Sequence, residues 1–380
     1  MDPIQRLKTD YPWIQTPLIV GAPMRLIALA DLAVAISKAG GIGFIGAGTD
    51  VSSLSSYFSS ACNLLRDSDV KTTNGTLPIG VGFINWGANL KQALPVIAEF
   101  KPAAIWFFAP SSLAELTHWT YKYRAASPQS KVWVQVGSVR EAEDVARECR
   151  PDVLVVQGTD AGGHGLAQGA GLVSLVPEVC DRIAELVPDE KERPVLVAAG
   201  GIAEKCGAAA ALVLGASGVI MGTRFLASHE AVLAKGYQDE VLRASDGGQT
   251  TVRTKVWDNA RGTTGWAETH NGRGIVNRTY TDALSGVADE ENQRLYEADM
   301  KKGDQGWGVD ARLCTYAGSA VGLIKEVKGA GDIVKEVEAM IDEGTGKYKA
   351  LKSRQRLDAT LIFSRIAGGL QRSAKLYLQI

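Results

Sequence analysis

The chain has 380 residues, of which 46% are hydrophobic, and its 41 basic and 42 acidic residues give a formal net charge of −1. This balance gives no electrostatic reason to expect nucleic acid or an anionic membrane surface as a partner. The five cysteines are scattered without a CxxC pair and no HExxH motif occurs, so neither a disulfide framework nor a metal site is expected. With no basic, apolar leader and no apolar run of about 18 residues, we expect a cytoplasmic protein without a membrane span.

Short apolar segments alternate with segments of helical character along the first 240 residues. Such alternation favours a parallel sheet with right-handed crossovers, and eight units favour a closed (β/α)₈ TIM barrel over a doubly wound sheet. A dinucleotide fingerprint would have to open a helix, but Gly41–Gly46 lies within a predicted strand. The predicted strands are 17–22, 41–47, 77–85, 103–109, 131–137, 152–158, 194–200 and 218–225.

The pattern changes beyond about residue 240, where Gly, Thr, Asn and Asp become abundant. Helical periodicity returns in 287–302 and 320–343. We therefore predict a barrel over residues 1–240, and over 241–380 an appendage or lid with C-terminal helices that pack on the barrel. Three tryptophans, Trp257, Trp266 and Trp307, argue against complete disorder of this second part.

The loop after the sixth predicted strand, 157–165 (QGTDAGGHG), presents one histidine among glycines. Gly162 and Gly163 allow a flat ligand to approach the backbone, and the unperturbed pKa of a histidine such as His164 lies nearest neutrality. The combination suits a base beside a cofactor. The alternative is an ordinary strand-to-helix turn with a solvated histidine.

Other candidate ligand-binding residues follow other predicted strands, whose carboxyl ends converge on one face of a barrel. Ala22, Pro23 and Met24 follow the first strand, and methionine offers a polarizable surface to an aromatic ring. Backbone N–H groups of Ala199-Gly200-Gly201 and of Gly222-Thr223, after strands seven and eight, would form a cradle for phosphate. Gln135, near the end of strand five, could present an amide to a ring carbonyl. Taken alone, Met24 fits an ordinary core methionine better than a flavin contact. Gln135 fits a buried glutamine satisfied by neighbouring backbone as well as it fits a ligand contact.

Together these residues resemble the nitronate monooxygenase family, formerly called 2-nitropropane dioxygenases, whose members are FMN-containing barrels. The resemblance covers roughly residues 14–240 and extends weakly to 316–324, and the segment 257–279 resembles fungal versions and could close over the barrel mouth. Its motifs occur in the family's order: Ala22-Pro23-Met24 with Ala39–Gly43, then Gly158–His164, then Ala198–Ile202, then Met221–Phe225.

The resemblance implies an FMN site and a role for each matching residue. Ala22 and Met24, with Pro23 between them, would border the flavin, and Gly162 and Gly163 would line it. His164 aligns with the family's catalytic base. The residues that would hold the FMN phosphate are Ala199, Gly200, Gly201, Gly222 and Thr223.

The implied activity is oxidation of a small alkyl nitronate by dioxygen to a carbonyl compound and nitrite. His164 would remove a C–H proton when the neutral nitroalkane is the substrate. Two positions depart from the family pattern. Asp160 stands where relatives often have glutamate, and Gln135 stands where some relatives carry a lysine near the flavin.

Two other functions are compatible with the same residues. A flavin-dependent enoyl-ACP reductase would share the barrel and the glycine-histidine loop but would require NAD(P)H. A non-catalytic flavin-binding accessory protein would not depend on His164. The first predicts rapid anaerobic flavin reduction by a pyridine nucleotide, and the second predicts no effect of removing the histidine.

Overall fold

Eight parallel strands close into a barrel in the computed structural model, which describes residues 2–70, 72 and 75–339. The barrel order is β1-β2-β3-β4-β5-β6-β8-β9, and pairing of Leu18 with Gly218 closes it. The predicted TIM barrel is thereby confirmed. In chain order, the strands of the described residues are β1 (Leu18–Gly21), β2 (Ile42–Gly48), β3 (Leu77–Ile84), β4 (Pro102–Phe108), β5 (Lys131–Val136), β6 (Val153–Gln157), β7 (Gly163–Leu166), β8 (Val195–Ala199), β9 (Gly218–Met221), β10 (Thr251–Thr254) and β11 (His270–Ile275).

Alternate strand residues fill the barrel interior, with aromatic rings at its centre. Trp106 packs edge-on against Phe44 at 5.2 Å between ring centroids and stacks on Trp133 at 6.1 Å. Trp133 Nε1 donates a hydrogen bond of 2.7 Å to Tyr11 Oη, which follows the first helix. The amino end of the barrel is therefore plugged, and ligand access is left to the carboxyl ends of the strands.

Helices follow the barrel strands, and side chains fix where several of them begin. Ser112 and Ser138 each accept from the backbone N–H of a glutamate three residues later, while that glutamate accepts from a backbone N–H before the serine. The helices with both ends among the described residues include α1 (Pro3–Asp10), α2 (Ala30–Lys38), α3 (Leu54–Leu65), α4 (Leu90–Phe100), α5 (Leu113–Ala126), α6 (Val139–Glu148), α7 (Leu172–Leu186), α8 (Lys205–Val213), α9 (Thr223–Leu226), α10 (Lys235–Arg243), α11 (Gly247–Thr250), α12 (Val256–Arg261), α13 (Arg278–Leu284) and α14 (Asp289–Met300), with short 3₁₀ turns at Gly303–Gly306 and Ser319–Leu323.

A small antiparallel sheet of order β10-β11-β7 stands beside the barrel. β7 belongs to the glycine-histidine loop, and its residue His164 pairs with Gly272 of β11. The loop predicted over 157–165 is therefore wrong for Gly163–Gly165, which belong to β7. A strand with two glycines has little intrinsic preference for extended structure, and it forms here because β11 supplies the hydrogen-bonding partner.

The predicted appendage contributes to the same compact unit as the barrel, which extends to Glu338. Trp257 is fully buried there, and β10 and β11 join β7 in one sheet. The division of the chain into two parts at residue 240 stays a prediction. Residues 340–380 of the predicted second part lie outside the described residues. Among the described helices, none combines the length and apolar character needed to cross a bilayer.

Candidate active site

Four of the predicted segments meet at the carboxyl edge of the barrel. Ala22 N donates to Met221 O at 3.1 Å, which places the end of β1 beside the end of β9. Gly158 N donates to Ala199 O at 2.9 Å, which places the loop after β6 beside that after β8. The backbone of Met24 lies against Gly46, and Pro23 lies against Gly82. The loop that follows β1 therefore reaches across the mouth of the barrel towards β2 and β3.

The glycines at this edge differ in what surrounds them. Gly200 and Gly201 have φ angles of +100° and +74°, and a Cβ on Gly200 would lie 2.8 Å from Gly158 O. A Cβ on Gly163 would meet nothing within 4 Å, and one on Gly222 would meet only Ala22 Cβ at 3.6 Å. The backbone is thus open to a ligand at Gly163 and Gly222, whereas glycine is required at Gly200 by conformation and packing.

The segment 316–319 covers another part of the same loop. A Cβ on Gly162 would come within 2.5 Å of Ala317 C and Gly318 N, and Gly318 N donates to Thr223 Oγ1 at 3.0 Å. Ser319 Oγ donates to Asp160 Oδ1 at 2.7 Å. This segment therefore connects the glycine-histidine loop to the start of α9, and the shorter carboxylate at Asp160 still finds a partner.

His164 is held between a carboxylate and an aromatic ring. Its Nε2 lies 2.9 Å from Asp258 Oδ1, and its side chain is only 12% exposed. Trp266 stacks on the imidazole with ring centroids 3.8 Å apart and an interplanar angle of 5°. Burial lowers the pKa of His164, while Asp258 opposes that shift and Arg261 and Arg253 add to it. The imidazole is consequently neutral near pH 7, as a proton acceptor requires.

Trp266 belongs to a small aromatic cluster at the mouth. Its ring lies 5.6 Å from that of Trp86 and 5.8 Å from that of Phe108, residues that follow β3 and end β4. The segment 257–279 thus reaches the strand ends. Sequence reasoning singled out this segment but missed Asp258 and Trp266 as neighbours of His164, because a contact between residues 94 positions apart leaves no local pattern.

Arg253 on β10 fixes the backbone of the glycine-histidine loop. Its guanidinium donates to Ala161 O at 2.6 Å, Gly163 O at 3.2 Å, Thr159 O at 3.4 Å and Asn271 O at 2.7 Å. Burial, with Arg273 nearby, lowers the pKa of Arg253 to about 10. It therefore remains a cation at neutral pH and a strong donor to these carbonyls.

Gln135 lies at the end of β5, where its Oε1 accepts from Trp106 Nε1 at 3.2 Å. Beside it is a cavity of about 230 Å³, whose lining includes Leu116, Glu141, Gly165 and His270 but not His164. The open backbone at Gly163 and Gly222 and the imidazole of His164 therefore lie outside the lining of this cavity.

His270 gives a prediction about stability. It packs edge-on against Phe108 at 5.7 Å, and burial, with the charges of His164, Arg253 and Lys255, lowers its pKa from 6.5 to about 4. Between these values an unfolded histidine binds more protons than the folded one, so the free energy of unfolding falls as pH falls. We expect urea unfolding of His270→Gln to show a smaller decline between pH 6.5 and 4. The control is His118→Gln, at an exposed histidine, which should show the same decline as the parent protein. If the free energy of unfolding of His270→Gln declines as much as that of the parent protein, the prediction is wrong.

Comparison with known proteins identifies the family to which this chain belongs. The family model described as nitronate monooxygenase matches residues 124–339. A nitronate monooxygenase of Metarhizium robertsii, npaC, is 46% identical over 87% of this chain and 93% of its own length. A nitronate monooxygenase of Neurospora crassa is 38% identical over 91% of this chain and 95% of its own.

Among solved structures, FabK from Thermotoga maritima superposes with a TM-score of 0.69 at 24% identity, covering 91% of this chain and 98% of its own. Identity at that level supports the barrel fold alone. The two fungal relatives confirm the resemblance predicted from the motifs. Since the family model spans more than half of the chain and both relatives align along most of it, the chain belongs to the nitronate monooxygenase family and is an oxidoreductase.

Proposed function

We propose that this enzyme oxidises small alkyl nitronates with dioxygen in an FMN-dependent reaction that yields a carbonyl compound and nitrite. Neutral nitroalkanes become substrates when His164 removes the acidic C–H proton. The observation that carries this proposal is a buried imidazole with a lowered pKa, held beside open glycine backbone at the strand ends. We expect the enzyme to work in the cytoplasm.

The residues present fit an FMN. A phosphate would be held by backbone around Ala199, Gly200, Gly201, Gly222 and Thr223, where two glycines adopt positive φ and Gly222 is open. Ala22, Pro23, Met24 and Gly163 would border the ring system, with Gln135 and Gly162 nearby. When bound, the flavin supplies the electron-accepting chemistry that no side chain provides.

The protein's own contribution is proton transfer and exclusion of water. Because burial keeps His164 neutral, its free imidazole nitrogen can accept a proton at pH 7 without first losing one. Trp266 covers one face of the imidazole and packs against Phe108. These rings keep water from the base and strengthen electrostatic interactions around it.

The phosphate cradle can be tested by filling it. In Gly222→Val the new Cβ meets only ordinary van der Waals contact, so we expect the barrel to fold while the branched methyl groups obstruct the backbone. FMN affinity should fall at least about tenfold, or about 1.4 kcal/mol, in a fluorescence titration of the apoprotein. The matched control is Gly248→Val, where a Cβ meets nothing within 4 Å. Unchanged FMN affinity in Gly222→Val would place the phosphate elsewhere.

The activity itself is tested without oxygen. The FMN-loaded enzyme is mixed in a stopped-flow instrument with propyl-2-nitronate or with NADPH while flavin absorbance is followed. We expect rapid reduction by the nitronate and none by NADPH. Reduction by NADPH alone would favour an enoyl reductase, and no response to either would favour a flavin-binding protein without this chemistry.

A further inference from the structure

Asp258 is the polar partner of His164 and comes from a part of the chain far from the barrel motifs. It lies on α12, and its side chain is 2% exposed. Its Oδ1 lies 2.9 Å from His164 Nε2 and accepts from Thr263 Oγ1 at 2.9 Å. Its Oδ2 is buried without a hydrogen-bond partner among the described residues.

An ionised carboxylate accepts hydrogen bonds and cannot donate them. If Asp258 bonds to Nε2, then Nε2 carries the hydrogen in the neutral imidazole, and Nδ1 carries the lone pair. The stacked indole of Trp266 fixes the plane of the ring, so the carboxylate decides which nitrogen faces α12.

We propose that Asp258 is a positioning residue that holds His164 as the Nε2–H tautomer and thereby makes Nδ1 the atom that accepts the substrate proton. This inference rests on the proposed role of His164 as the base. The unpaired Oδ2 supports it, because a buried carboxylate with a purely structural role normally has its oxygens satisfied. When Nδ1 takes a proton, the bond from Nε2 to Asp258 becomes charge-assisted and strengthens.

The other charged and titratable groups facing the imidazole do not duplicate this role. Arg253 on β10 and Arg261 on α12 both disfavour a protonated His164. The charge of His164 contributes to lowering the pKa of His270 on β11, so His270 stays neutral near pH 7 and does not stabilise the imidazolium. Tyr316, whose ring lies 5.3 Å from the imidazole, has its pKa raised well above the usual value by burial and stays neutral. Asp258 is therefore the group that favours the imidazolium formed during proton abstraction.

The test is NMR of the holoenzyme carrying ¹⁵N-labelled histidine, with the His164 signals assigned from a His164→Gln sample. We expect the parent protein to show a protonated Nε2 and an unprotonated Nδ1 in the neutral form. In Asp258→Asn the pKa of His164 should fall by about one pH unit or more. In Asp258→Glu the pKa of His164 should lie between that of Asp258→Asn and that of the parent protein. This variant replaces Asp258→Asn in the test if the asparagine variant is poorly folded.

The matched control is Asp299→Asn, which makes the same change at a buried aspartate of α14 that pairs with Lys302. It should leave both the tautomer and the pKa of His164 unchanged. A protonated Nδ1 in the parent protein, or an unchanged His164 pKa in Asp258→Asn, would overturn the proposal. Both readouts are independent of turnover, so they stand even if the enzyme fails to oxidise nitronates.

Kinetics provide a third readout. With a neutral nitroalkane, Asp258→Asn should lower kcat/KM by about tenfold to a hundredfold, because part of the general-base contribution is lost. With the preformed nitronate, from which no proton has to be removed, the loss should be much smaller. Equal losses on both substrates would indicate general damage to the site and would overturn the positioning role.

Discussion

Replacing His164 with asparagine is expected to lower kcat/KM for neutral nitroalkanes by about 10² to 10⁴-fold, which is the usual contribution of a general base. Asparagine keeps a polar side chain in a site that is only 12% exposed and removes the base, but it is smaller than histidine and loses the stack on Trp266. Initial rates of oxygen consumption with nitroethane and with ethylnitronate measure the effect. The nitronate is already deprotonated, so its oxidation should lose far less.

A matched control is His118→Asn, at an exposed histidine on α5. We expect it to retain the parent activity on both substrates. Equal activity of His164→Asn and the parent enzyme on nitroethane would assign proton removal to another group. FMN content and circular dichroism of each variant exclude loss of cofactor or of fold as the cause.

Arg253→Met should lower the free energy of unfolding by about 3 kcal/mol and displace the glycine-histidine loop. The guanidinium donates to four backbone carbonyls, and a single hydrogen bond to a charged group contributes about 1.5–3 kcal/mol net to stability. These contributions do not add, and removing a buried cation recovers part of its desolvation cost, so the net loss is well below their sum. Urea unfolding followed by tryptophan fluorescence measures it.

The control for this change is Arg140→Met, whose side chain is 85% exposed and pairs with Asp144 on the same helix. Its effect should stay within about 0.5 kcal/mol. If the two variants have the same stability, the carbonyls of 159–163 find other donors and Arg253 does not hold the loop. A loss of activity with His164 intact would further link the loop backbone to the position of the base.

The barrel could be predicted because its signal is local and repeated. Each strand is a short apolar run buried on both sides, and all eight predicted runs became barrel strands. The approach of Ala22 to Met221 and of Gly158 to Ala199 also followed from topology, because parallel strands end at one edge. Once the barrel fold was predicted, it followed that these residues would lie together.

The environment of His164 could not be predicted in the same way. Asp258, Trp266 and Arg253 come from a segment without clear periodicity, and each contacts the loop across 90 or more positions. Gly163–Leu166 contains two glycines and one leucine, which is too little to mark a strand. Contacts across about a hundred positions depend on the folded surface and leave no trace in local sequence pattern.

The pairing of β7 with β11 also joins two segments that are made at different times during synthesis. The barrel strands are complete once Met221 has been translated, but the partner of His164 in β11, Gly272, is made about fifty residues later. When the last barrel strand has been made, the histidine loop therefore still lacks the strand, carboxylate and indole that hold it. Activity in a synthesis reaction is consequently expected only after this later segment has been made.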